Sequence, residues 1–293
     1  MKSMLPHSQK NRADVCPLCG SNRLLRLPYS YQYDKGETHV IRCPNCMLGF
    51  LRPMPAAEDI RAFYSAEYFE QDYHCATSEG SYAEEADHMR AAMRPKLEVI
   101  GRFKKGGNYL EIGCAGGAAL AEAQAFGFDT TGVELSPEMS EWGRAHFGLD
   151  IRCGTLDAQR FTDGTFDVVF MGDVIEHLPE PAKDLREIHR IIRPGGILVL
   201  EYPMELNHIV PRVRAALQLH KTMMQNPYHL FFYTPPPLNL LLSSCSFHTV
   251  LNRTGKMVRR HPLSVFLLDS MNAMFTSMTG KWGDRGFTIA IRN

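Results

Sequence analysis

Beyond residue 108 the chain alternates short apolar runs with amphipathic stretches. Tyr109 to Ile112 is an apolar run that ends in glycines, and Ala118 to Phe126 reads as the helix that follows it. Thr130 to Glu134 is a second short strand, and Ser136-Pro137 opens a helix to about Phe147, with a hydroxyl at the N-cap and proline at the first helical position. Ile151 to Cys153 is a third strand and Asp163 to Met171 a fourth, whose run of Phe and Val predicts burial on both faces. Leu185, Ile188, His189 and Ile192 fall at helical spacing within Pro181 to Ile192. Arg193-Pro-Gly-Gly196 then stops that helix before a fifth strand, Ile197 to Tyr202. From 203 to 227 the pattern loosens, with one helix expected over Pro211 to Met224. A helix from Pro237 to Ser244, a strand from Phe247 to Arg253, a Met- and Phe-rich helix from Leu263 to Met278 and a last strand from Phe287 to Arg292 complete the series. This alternation predicts an α/β fold around a mostly parallel sheet, with the last strand entering antiparallel at its edge.

The first fifty residues break the pattern, and four of the eight cysteines explain why. Cys16-Pro-Leu-Cys19 and Cys43-Pro-Asn-Cys46 are C-x-x-C knuckles separated by 23 residues. Two knuckles supply four thiolates, the tetrahedral set that zinc favours, and leave no open position, so a structural Zn2+ is expected in a zinc ribbon. A redox pair is the alternative for one C-x-x-C alone, and iron in a rubredoxin-like site is chemically possible. Asn22 to Leu27 and Thr38 to Arg42 are expected as hairpin strands, with Gly20 and Gly49 supplying turn freedom. Cys75, Cys114, Cys153 and Cys245 are scattered, and most are expected as buried thiols. Leu51 to Ile60 is a proline-marked linker into a helix ending near Tyr64, and a longer helix is expected from about Glu84 to Phe103.

Glycine at 113 and 117 lets the backbone approach a ligand closely. The dinucleotide fingerprint G-x-G-x-x-G fails, since Ala115 and Ala118 hold its second and third glycine positions. Two acids sharpen the picture: Glu111 within the turn motif, and Glu134 at the end of the next strand, 21 residues after Gly113. A carboxylate at that strand end can accept both hydroxyls of a ribose. On Glu111-x-Gly113-x-x-x-Gly117 and Glu134, the chain resembles the class I S-adenosylmethionine-dependent methyltransferases, with Ala115 where glycine is commoner.

The resemblance implies a seven-stranded Rossmann-like methyltransferase sheet behind the ribbon. It divides the chain into a zinc ribbon (1–52), a helical linker or lid (53–107) and a methyltransferase domain (108–293) with a substrate-side insertion (203–233). S-adenosylmethionine is the implied cofactor, held by Glu111, Gly113, Cys114, Ala115, Gly117, Glu134 and Leu135. Leu156 is expected against the adenine, with Asp157 a weaker candidate because it sits two positions past the usual acid, and Asp173 at the end of the fourth strand. Tyr64, Tyr68, Phe69, Tyr73 and Tyr82 either fold over the cofactor, as in similar proteins, or tie the ribbon to the catalytic domain. His177 follows the fourth strand, and His229 precedes aromatics and a Thr-Pro helix start, a pattern similar proteins share; either can serve as general base or merely order its loop.

Composition narrows the acceptor. Hydrophobic content of 44% with 22% charged residues describes a globular chain, and 32 basic against 32 acidic residues leave no footprint for nucleic acid or an anionic membrane. No signal peptide opens the sequence and no apolar run reaches bilayer length, so a cytoplasmic protein is expected. The leading expectation is methylation of a small-molecule or sugar acceptor at oxygen. The alternatives are a ribosomal-RNA methyltransferase that uses its zinc module on RNA, and a non-catalytic scaffold. The Met- and Phe-rich helix is expected as core or as a homodimer interface, with contact to a lipid-linked substrate a minor alternative.

Overall fold

The computed structural model describes residues 15–33, 36–55, 82–207, 229–255, 274, 276 and 283–293. The aromatics at 64, 68, 69 and 73, Cys75, and the expected helices over 211–224 and most of 263–278 lie outside them.

Seven strands form one sheet in the order β10-β11-β8-β7-β4-β5-β6. These are β4 (Gly107–Ile112), β5 (Phe128–Glu134), β6 (Asp150–Cys153), β7 (Phe166–Gly172), β8 (Ile192–Pro203), β10 (Phe247–Gly255) and β11 (Arg285–Arg292). β4 pairs in parallel with both β5 and β7, as β7 does with β8. The last strand is antiparallel, as expected, but it is not the edge. It inserts between β8 and β10 because β10 and β11 form an antiparallel pair, and β11 then finds the free side of β8. β8 also begins earlier than the Pro-Gly-Gly turn suggests. Ile192 already pairs with Phe166, and the register shifts before Val168 meets Ile197.

Alternate residues of the central strands face two cores, as a period of two requires. Tyr109, Val168, Phe170, Val199 and Ile289 pack with Met93, Leu97 and Ile100 of α1 (Tyr82–Ile100) and with Leu120 and Ala123 of α2 (Ala118–Ala125). Leu110, Val169, Met171, Leu198 and Leu200 face the other way. They meet Leu185 and Ile188 of α5 (Pro181–Ile191) and Leu238 and Leu242 of α6 (Pro235–Ser244). Completing the described helices are α3 (Pro137–Phe147) and the single turn α4 (Leu156–Gln159). In α3, the Ser136 side chain accepts from the Met139 N–H, as the cap predicted.

A second, four-stranded sheet runs β1-β2-β3-β9, from β1 (Leu25–Tyr33), β2 (Gly36–Arg42), β3 (Gly49–Arg52) and β9 (Phe231–Phe232). The expected hairpin is present, but its first strand starts later and runs longer. The two-residue β9 joins it from the far end of the chain, Phe50 pairing with Phe231 and Gly49 with Phe232. The apolar interior is therefore continuous: Cys16, Val40, Phe50 and Leu51 belong to the same core as Leu110, Leu198 and Phe231. Among the described residues, no helix is long and apolar enough to cross a membrane.

Candidate active site and cysteine cluster

β4 delivers the chain into the loop 113–117 at the carboxyl end of the sheet, where ligands bind in open α/β folds. Gly113 and Gly117 have φ of 71° and 78°, the left-handed region in which glycine carries no penalty. Ala115 also lies there, at φ 46°. For an L-residue this costs about 1–2 kcal/mol, and a hydrogen bond offsets it: the Ala115 N–H donates to Glu134 Oε2 at 2.8 Å. The other oxygen, Oε1, accepts from the Ser136 N–H at 2.8 Å. Glu134 thus ties the glycine loop to the start of α3 while buried, and burial raises its pKa. Its carboxylate has further lone pairs for a ligand.

Glu111 is buried behind the loop, and among the described residues its Oε2 has no hydrogen-bond partner. Burial pushes its pKa up to about 8, against the lowering influence of Lys96. Below the usual carboxylate pKa both the folded and unfolded chains carry the proton, and burial costs nothing. As pH rises toward 8 only the unfolded chain ionises, so folding loses up to about 1.4 kcal/mol for each pH unit. Glu111→Gln should therefore match the cofactor-free wild type in thermal stability near pH 4.5 and exceed it increasingly up to pH 8. A stability difference that stays flat with pH would rule out a neutral Glu111.

The remaining expected ligands divide. Cys114 is buried within the loop, Leu135 is exposed next to Glu134, and Leu156 is buried at the first position of α4. Gly154 N–H donates to the Glu134 carbonyl, which brings the two strand ends together. Asp157 faces away toward α5, where Lys183 Nζ approaches its Oδ2 to 2.6 Å. Asp173 adopts φ 54° and is held bidentately by Arg285, at 2.6 and 2.7 Å. Arg285 also reaches Glu201, which pairs with Lys96. Tyr82 is placed in α1 with its hydroxyl accepting from the Ala118 N–H at 2.9 Å, and its ring meets Trp142 edge-on.

The two histidines converge. His177 ends a 3₁₀ turn (Ile175–His177) after β7, and His229 lies two residues before β9, yet their rings lie 4.6 Å apart in an edge-to-face contact. Between them is Glu176, with Oε1 3.9 Å from Nε2 of each. Glu205, from the 3₁₀ turn after β8 (Glu205–Asn207), contacts His229 Nδ1. Burial disfavours charge on His229, but Glu205 outweighs it and the pKa is pushed up to about 9. Burial and then Asp173 push Glu176 up to about 8. Sequence reasoning singled out both histidines and missed Glu176, Glu205, Lys96, Glu201 and Arg285. For Glu176 a signal existed, since an acid adjoins His177 directly after a buried strand. For the others no local pattern marks the role.

The cysteines Cys16, Cys19, Cys43 and Cys46 place all four Sγ atoms within 4.8 Å of one another, with Cys16–Cys46 at 3.5 Å and Cys19–Cys43 at 3.6 Å. A tetrahedron with metal–sulfur bonds of 2.3 Å has edges of about 3.8 Å, so the donor set fits such a cation. Asn45 Nδ2 donates to Cys19 Sγ at 3.5 Å. Gly20 takes the left-handed position after the first knuckle, but after the second it is Met47, at φ 69°, rather than Gly49. Gly49 lies in β3, where a Cβ would stand 2.4 Å from Leu206 and 2.9 Å from Phe232. Its small size serves close packing there. Of the scattered cysteines described, Cys114 and Cys245 are buried and Cys153 is exposed.

The sequence profile of a family described as "methyltransferase domain" matches residues 83–250, more than half of the chain. A sterol 4-C-methyltransferase of Caenorhabditis elegans is 31% identical over 144 residues, 46% of this chain and 42% of that protein. A ubiquinone biosynthesis O-methyltransferase of Xanthomonas oryzae is 31% identical over 101 residues, 32% of this chain and 42% of that one. The chain thus spans less than half the length of either relative. In fold it is similar to a SAM-dependent methyltransferase from Archaeoglobus fulgidus, with TM-score 0.52, 17% identity and coverage of 70% of this chain and 94% of that one.

Proposed function

Since the chain belongs to this methyltransferase family and is an S-adenosylmethionine-dependent methyltransferase, we propose that it methylates a small-molecule or sugar acceptor at oxygen, in the cytoplasm. The cofactor's sulfonium supplies the methyl group. The chain's own residues align the acceptor with it, which can provide most of the rate enhancement. Glu134 accepts the ribose hydroxyls, the loop 113–117 lies along the cofactor with Cys114 and Ala115, and Leu135 and Leu156 enclose the adenine. Glu111 and Asp173 face the cofactor's charged end. Asp157, paired with Lys183, is the weakest of these ligands.

The observation that carries the choice of oxygen is the buried group formed by Glu176, His177, His229 and Glu205. An oxygen acceptor must lose a proton, and this cluster gathers two imidazoles and two carboxylates, with His177 after β7 and Glu205 after β8, at the ligand-binding end of the sheet. The O-methyltransferase name of one relative agrees with that reading, and the C-methyltransferase name of the other keeps carbon as the competing acceptor. The four cysteines hold Zn2+ in a structural role, because four thiolates leave no position for a reactant. Nucleic acid is not the acceptor, since basic and acidic residues balance.

Calorimetry on the purified chain tests the cofactor assignment. S-adenosylmethionine should bind, and Glu134→Ala should weaken it by roughly 1–3 kcal/mol through lost charged hydrogen bonds. Unchanged affinity would remove Glu134 as the ribose acid. Label transfer from the cofactor to phenols and sugar hydroxyls then tests the acceptor class; methylation of RNA alone would refute it.

A further inference from the structure

We propose that Glu176, His177 and His229 form a second metal centre, a site for one divalent transition-metal cation separate from the four cysteines. One ligand atom from each residue lies within 4.8 Å of the other two. Both histidine Nε2 atoms stand 3.9 Å from the same carboxylate oxygen. A cation about 2.1 Å from each ligand in a tetrahedral arrangement needs ligand atoms about 3.4 Å apart, so each histidine has to close on the carboxylate by roughly half an ångström.

Two further observations point to a cation. Glu176 is 1% exposed, and among the described residues neither of its oxygens has a hydrogen-bond partner. A buried carboxylate left without a partner calls for an explanation, and a bound ion is one. The second is the contact of Glu205 with His229 Nδ1. With Nδ1 turned to Glu205, Nε2 is the atom that faces Glu176, and a cation there takes the place of its proton. A carboxylate behind a histidine is how metal-ligating imidazoles are oriented. Asp173 is close by, but Arg285 holds it bidentately and keeps it out of the donor set.

Two imidazoles with one carboxylate suit Zn2+, Fe2+ or Mn2+ better than the all-oxygen cations Mg2+ and Ca2+. Three protein ligands leave open positions, unlike the cysteine cluster, and an acceptor oxygen can occupy one. That use of the cation rests on the methyl-transfer reading; its binding does not.

The test uses the full chain with zinc already in the cysteine cluster. Mn2+ is titrated by electron paramagnetic resonance, because it leaves thiolates to softer metals, and a second equivalent of Zn2+ is counted by elemental analysis. One Mn2+ per chain should bind. Glu176→Gln and His177→Ala should weaken it at least about tenfold, and Glu205→Gln by roughly 10–100-fold. His189→Ala, packed on Phe247 away from the cluster, should leave it unchanged. Circular dichroism confirms that each variant is folded, and Glu205→Gln carries the test if Glu176→Gln is not. Absence of saturable binding of both Mn2+ and a second Zn2+ overturns the proposal, as does binding undiminished in the folded variants. S-adenosylmethionine affinity measured in parallel separates the readings: cofactor bound without Mn2+ refutes only the metal centre, and Mn2+ bound without cofactor refutes only the cofactor assignment.

Discussion

Cys16→Ser is expected to lower the zinc content from one per chain at the cysteine cluster and to destabilise the whole molecule. Structural zinc contributes on the order of 10 kcal/mol of apparent binding energy in small domains. If loss of one ligand forfeits about 3 kcal/mol of that, the melting temperature falls by about 5 °C for a chain of this size. The effect should not stay in the ribbon, since Cys16, Phe50 and Leu51 share one core with Leu110 and Leu198. Turnover should fall as well, through displacement of His229, because β9 two residues beyond it is paired to β3. Elemental analysis, thermal unfolding and hydrogen exchange over 229–233 measure these three consequences. A metal-free chain that is equally stable would end the structural-zinc reading.

Substitution of His177 or His229, the proposed acceptor-side pair, is expected to reduce turnover by roughly 10²–10⁴-fold while cofactor affinity stays nearly intact. Sequence reasoning left each histidine as either the general base or a residue that orders its loop. The edge-to-face contact of the rings and their common neighbour Glu176 make a unit of them instead. Members of such a unit are strongly non-additive, so the double variant should be little worse than His177→Gln or His229→Gln alone. Single-turnover kinetics on the true acceptor decide this. Full activity in both single variants would leave alignment alone to carry the reaction, and would favour a nitrogen, sulfur or carbon acceptor.

What could be read from the chain follows from how locally each feature is encoded. The β4–glycine–α2 turn, the Ser136-Pro137 helix start and the two C-x-x-C knuckles are each written within a few residues, and the structure has them all. The run Phe166 to Met171, fully buried, matched its composition. Features assembled from distant segments were not legible. Arg285 meets Asp173 across 112 positions, and Glu205 meets His229 only because two loops converge. A strand of two residues such as β9 has no periodicity to detect. The place of β11 inside the sheet depended on which neighbour was left free after β7 paired with β8. Gly49 was misjudged for a related reason: turn and close-packing roles look alike until the partners, here Leu206 and Phe232, are known.

The pairing of β3 with β9 has a consequence for how this protein can be cut and recombined. A trimmed chain beginning near residue 83, where the family resemblance starts, looks like a minimal catalytic unit. Yet it would strip Phe231 and Phe232 of the strand they pair with, and leave the Leu230 carbonyl without its donor, the Leu51 N–H. An uncovered strand edge beside two aromatic rings invites association with other chains. Nor can the ribbon be exchanged for one from a relative without also exchanging residues 229–233. The two segments, some 180 positions apart, are one interchangeable part and must be inherited together.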